Sequence, residues 1–252
     1  MRTVVAAILM VIAGVCGAEA QQIDADTCAV PGYMLFGDNL LQRVWAAAKA
    51  NHLKIVVFGT TSSTLAGSET SPDAYPARLE ATLRRLLPGL TIDVVSYAKP
   101  RQTAERMVKG FDKVLKEEKP VLAIWQTGTY DAMQGVDPKE FLLNVTAGVE
   151  KLRAAGVDVI LVNMQYNPRT ENILAIEAYS ENLRWVARER QVPLFDRFAI
   201  MRNWNDSGAI DLFAATKDIA IAKRVHECIG RALASLIIDA GRLGAVEGKT
   251  PQ

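Results

Sequence analysis

The hydroxyl side chains Thr60-Thr61-Ser62-Ser63 follow the apolar run Ile55-Val56-Val57-Phe58 and Gly59. A hydroxyl on a tight turn at the end of a buried strand is where a parallel α/β hydrolase presents its nucleophile. Such an oxygen is weak at its own pKa and needs a base beside it. The chain has 2 histidines, His52 and His226. His52 precedes the apolar run and so belongs at the opposite end of the strand. His226 falls inside the last expected helix, where it reads as an ordinary helix residue. Lys217 is the other candidate base, provided it is desolvated and within hydrogen-bond reach of Thr61 or Ser62. Ser62 and Ser63 also read simply as turn residues. The sequence has no His-x-x-x-His, no Cys-x-x-Cys and no spaced carboxylate set, so it calls for neither metal nor cofactor.

The elements that must position these groups alternate regularly. Apolar runs predict strands at Lys54–Gly59, Thr91–Ser96, Val121–Gln126, Val157–Asn163 and Pro193–Phe195. Helical spacing appears at Leu40–Ala50, Ala74–Leu87, Thr103–Glu118, Pro138–Ala155 and Glu171–Arg190, and again after Asp211. Pro88-Gly89, Lys119-Pro120 and Gly156 stop three of these helices. Val121–Trp125 is apolar on both faces, as strands of a helix-covered parallel sheet are. The pattern implies one doubly wound, flavodoxin-like α/β domain with a five-stranded parallel sheet. Ligands of such sheets bind outside the carboxyl ends of the strands. That rule selects the loops at 59–67, 96–103, 126–132 and 163–169, with the segment entering the last helix. Trp45, Trp125, Trp185 and Trp204 read as packing residues, and Asp131 as a helix cap.

These landmarks carry a resemblance. Tyr75-Pro76-Ala77-Arg78-Leu79, Trp125-Gln126-x-Gly128-Thr129-x-Asp131, Gln165-Tyr166-x-Pro168-Arg169 and Pro193-Leu194-Phe195-Asp196 resemble the SGNH (GDSL-type) hydrolase family from about Leu53 to Ile238. The resemblance implies an acyl-ester hydrolase scaffold. Its family pattern has a serine in block one, a glycine and an asparagine for the oxyanion hole, and an Asp-x-x-His pair before the last helix. Here Thr61 stands at the serine, Arg101 at the glycine, Tyr130 at the asparagine, Lys217 at the aspartate and Ala220 at the histidine. All five positions depart from the pattern. Two readings follow: a non-catalytic binding protein on this scaffold, or a divergent esterase or deacylase using Thr61 or Ser62.

The replacements add positive charge. Lys99, Arg101, Arg169 and Lys217, with Thr61, Ser62 and Tyr130, form a candidate site for an anionic or polyhydroxylated ligand such as a glycan; the alternative is that the basic side chains are solvated independently. Lys plus Arg (29) nearly balance Asp plus Glu (28), which gives a nucleic-acid role no support. Met1-Arg2-Thr3, the apolar run 4–15 and Ala18-Glu19-Ala20 match an export signal too short to span a bilayer. The expected organisation is a signal at 1–20, an arm and helix at 21–52, the SGNH-like domain at 53–240 and a frayed tail at 241–252. The expected location is periplasmic or secreted, in the bacterial cell envelope. Cys16 lies in the signal, leaving Cys28 and Cys228 as a disulfide pair in an oxidising compartment or as two buried thiols. Closing that loop contributes about 4–5 kcal/mol in the chain-entropy account.

Overall fold

In a computed structural model, residues 28–35, 39–65, 71–169, 176–214 and 218–244 are described. The expected export signal, Cys16, Lys217 and positions 245–252 lie outside the described residues. Five parallel strands form one sheet in the order β2-β1-β3-β4-β5. They are β1 (His52–Gly59), β2 (Thr91–Ala98), β3 (Leu122–Gln126), β4 (Asp158–Val162) and β5 (Leu194–Phe195). The helices are α1 (Gln42–Lys49), α2 (Tyr75–Leu86), α3 (Ala104–Glu118), α4 (Thr129–Gln134), α5 (Pro138–Ala154), α6 (Ile176–Glu189), α7 (Arg197–Asp206) and α8 (Ile219–Ala240).

The two-residue period of a strand sorts the core into halves. Leu53, Ile55 and Val57 of β1, Leu122 and Ile124 of β3, and Ile160 and Val162 of β4 face α1, α2, α7 and α8. Val56, Phe58, Ala123, Trp125, Val159 and Leu161 face α3, α5 and α6. Every residue of β3 is buried, as a central strand covered on both sides requires. Gly148 lets α5 lie against the Trp125 indole, which a Cβ there would meet at 2.4 Å. Trp125 and Trp204 are buried, but Trp45 and Trp185 are exposed rather than packed inside, and the Lys49 ammonium sits 3.3 Å from the Trp45 ring centroid.

Cys28 and Cys228 form a disulfide across 200 residues, fixing the N-terminal arm to α8. The alternative of two separate thiols is set aside. Trp204 Nε1–H donates to Ala29 O and ties down the same arm. Of the expected frayed tail, residues 241–244 turn back against α1 and bury Leu243.

α7 has no counterpart in the sequence reading, and α4 was anticipated only through Asp131 as a helix cap. α4 is a short element opened by Gly128 at φ 99°, a conformation glycine adopts without strain. α7 starts on Asp196, whose carboxylate accepts from Ala199 N–H.

Candidate functional site

The carboxyl end of β1 turns at once into a single 3-10 turn, Thr61–Ser63. Gly59 makes this possible, because a Cβ there would stand 2.2 Å from Ser63 Oγ. Thr61 is exposed at the start of the turn, Ser62 is half-buried, and Thr60 and Ser63 are buried. The turn is organised by Gln126, fully buried at the end of β3. Its Oε1 lies within hydrogen-bond distance of Thr60 N (3.1 Å), Thr60 Oγ1 (3.2 Å), Ser62 Oγ (3.2 Å) and Ser63 Oγ (3.0 Å). An amide oxygen has two lone pairs, so these donors compete for it. Ser63 and Tyr75 hydroxyls pair at 3.0 Å. In the sequence Gln126 stood out as a polar residue closing an apolar strand and as part of the motif that carries the resemblance, not as the organiser of this turn.

A second unforeseen group is Arg197, the first residue of α7, which is 1% exposed. Its Nη1 donates to Ser62 Oγ at 3.3 Å and its Nη2 to Gln165 Oε1 at 3.1 Å. Its guanidinium also lies 5.9 Å from the centre of the Tyr75 ring. No carboxylate among the described residues pairs with it. Burial brings its pKa down to about 10, and burial pushes the Tyr75 phenol up. A charged residue in a helix's first turn gave no sign of this burial, since the same pattern usually marks a solvated position.

His226 is an α8 residue, as expected, yet its ring faces this cluster. Nδ1 accepts from Tyr75 N–H at 2.9 Å, which leaves the proton on Nε2 in the neutral ring. Burial, reinforced by the Arg197 charge, lowers its pKa to about 3, so the ring is neutral at physiological pH. His226 has no hydrogen bond to a hydroxyl of the 60–63 turn. His52 is at the amino end of β1, paired with Asp93 at 3.1 Å.

The basic residues singled out in the sequence are spread over the loops. Lys99, Arg101 and Arg169 are each exposed. Lys99 N–H donates to Gly59 O at 3.1 Å, joining the ends of β1 and β2. Arg101 has φ 58°, the left-handed region that favours glycine. Arg169 N–H donates to Asn167 Oδ1 at 2.9 Å. Tyr130, half-buried on α4, lines a separate cavity of about 200 Å³ with Glu105, Arg106 and Glu140. Ala220 is exposed in the first turn of α8, its N–H donating to the capping Asp218. Asp131 does cap a helix, but a neighbouring one: its Oδ1 accepts from Ala104 N–H at the start of α3. Burial raises its pKa.

A parallel five-stranded sheet flanked by helices, with a hydroxyl-bearing turn after β1, defines an SGNH-type hydrolase scaffold. The chain belongs to the Non-GDSL lipase-like family, whose match extends over residues 27–243. It is 28% identical over 148 residues to Esterase TesA of Pseudomonas aeruginosa, covering 57% of this chain and 70% of that one. The crystal structure of TesA superposes with a TM-score of 0.58 at 25% identity, over 72% of this chain and 98% of that chain. A two-domain esterase (CEX) active on acetylated mannans shares the fold, with a TM-score of 0.67 at 14% identity, over 86% of this chain and 57% of the other.

Proposed function

We propose that this protein is a non-catalytic member of its hydrolase family, binding an anionic or polyhydroxylated ligand at the carboxyl ends of the strands. One observation carries the reading. Among the described residues, the hydroxyls of the 60–63 turn meet an amide oxygen, a guanidinium, a phenol and one another, never an imidazole or a carboxylate. A guanidinium donates and cannot take the proton of an attacking hydroxyl, so Arg197 holds Ser62 without activating it. The chain is proposed to work in the bacterial envelope, periplasmic or secreted. The Cys28–Cys228 bond and the N-terminal sequence pattern support an oxidising compartment. The ligand would be a glycan or other envelope component, recognised by the basic loops that carry Lys99, Arg101 and Arg169.

A second reading, a divergent esterase or deacylase acting on acylated glycans or small esters, is favoured by the retained turn and by the left-handed backbone at Arg101. A glycine in an oxyanion hole can offer only its N–H, and Arg101 has one too. The esterase relative at 28% identity points the same way. In this reading Thr61 or Ser62 attacks, with Lys217 as base.

Hydrolysis of p-nitrophenyl acetate and butyrate by the purified protein, beside Thr61→Ala and Ser62→Ala, separates the two. The expected result is no turnover above buffer for any of the three. Turnover abolished by either substitution would overturn the non-catalytic reading.

A further inference from the structure

Beside the hydroxyl turn, a cavity of about 120 Å³ opens between the loop after β4, α7 and α8. Its polar end carries Gln165, Arg197 and His226, and its other walls include Met201, Leu212 and Val225. The polar end is built and charged, and no carboxylate of the described residues pairs with its guanidinium. Arg197 is 1% exposed; among the described residues its Nε has no hydrogen-bond partner, and its two hydrogen bonds are to neutral oxygens. A buried cation without a counter-charge is costly, and such groups are normally paired. The carboxylate next to it in sequence is already committed, because Asp196 accepts from Asn163, Arg184 and Ala199 N–H. His226 adds a second donor. With Nδ1 engaged by Tyr75 N–H, its Nε2–H is the free donor of a ring that lines the same cavity.

We propose that this cavity binds a small carboxylate, its oxygens accepting from Arg197 and from His226 Nε2–H and its alkyl end lying against Met201, Leu212 and Val225. Guanidinium is the side chain best matched to a carboxylate, and the hydrogen bonds are charge-assisted. The apolar walls select a carboxylate with a hydrocarbon tail over a fully hydrated inorganic anion. The proposal rests on reading the carboxyl-end cleft as a binding site and not on the absence of turnover.

The two histidines make the test direct. In imidazole NMR spectra of the whole protein, His226 reports on the cavity and His52, at the far end of β1, serves as the internal control. Acetate, butyrate, glucuronate and inorganic phosphate are titrated at constant ionic strength. The expected result is saturable movement of the His226 signals with acetate or butyrate while His52 stays still. Arg197→Met is expected to weaken that binding about tenfold or more, the loss of one charge-assisted hydrogen bond. Ala222→Leu, which keeps Arg197 and narrows the cavity, is expected to reduce binding of butyrate more than of acetate. Response to glucuronate alone would overturn the placing of an alkyl end against Met201, Leu212 and Val225. Unmoved His226 signals, movement with phosphate alone, or Arg197→Met titrating like the wild type would overturn the proposal. Ester turnover, if found separately, would overturn the non-catalytic reading and leave this titration unaffected.

Discussion

Arg184 and Arg197 lie on neighbouring elements and have opposite surroundings. The Arg184 side chain is 33% exposed, yet it has two carboxylates, Asp196 at 2.8 Å and Glu181 at 2.5 Å. Together these interactions hold its pKa above the ordinary value in spite of partial burial. Arg197 is almost wholly buried and has none among the described residues. Asp196 immediately precedes Arg197 in the chain, and it caps α7, fixes Asn163 and pairs with Arg184, so its acceptor capacity goes to holding β4, α6 and α7 together. The difference separates two uses of polar groups. One set closes on itself and stabilises the sheet edge; the other is left with unspent donors at the mouth of a cavity, where a ligand can use them.

That contrast can be broken or sharpened by substitution. Asp196→Ala removes the α7 cap and the charge-assisted bonds to Arg184 and Asn163, and should cost about 3 kcal/mol in urea unfolding. Loss of much less would mean that the closed network is not what holds the edge.

The open set should show itself through pH. The His226 pKa is lowered to about 3 from an ordinary 6.5, so the unfolded chain takes up the proton first. Its contribution to stability is complete above pH 6.5 and is lost as pH falls toward about 3. At about pH 4.5 the loss should be about 2–3 kcal/mol relative to neutral pH. His226→Gln, whose amide oxygen can still accept from Tyr75 N–H, should flatten that dependence in unfolding curves recorded in carboxylate-free buffers.

Arg197→Met should leave stability unchanged or raise it by about 1 kcal/mol without added carboxylate, since it removes an uncompensated buried charge. A large destabilisation would show that Arg197 belongs to the closed set after all. Thr61→Val, at an exposed turn position, should change the unfolding midpoint least, by less than about 0.5 kcal/mol.

Much of the framework was legible because it rests on periodicity. Each strand was bounded to within two residues, since apolar runs at the centre of a parallel sheet cannot be polar on either face. The helix ends at Lys119 and Gly156 were marked by residues now seen at φ 49° and 77°. α7 was missed although Asp196 before Phe198 and Ile200 is a capping pattern, because the two-residue strand β5 leaves almost no gap ahead of it. The site was less legible. The resemblance directed attention to Thr61, Arg101 and Tyr130, whereas the buried polar cluster consists of Gln126, Arg197 and His226. Burial of an isolated polar side chain has no period, so nothing along the chain distinguishes Arg197 from a solvated arginine.

The bond between Cys28 and Cys228 also has a mechanical consequence. Tension applied between the two chain ends would run through the sulfur bridge and leave the covalent loop of residues 29–227 out of its path. Among the described residues, only the part of α8 after Cys228 and the turn that buries Leu243 would be drawn out. The sheet, the hydroxyl turn and Arg197 would be shielded from the pull for as long as the bridge stays oxidised.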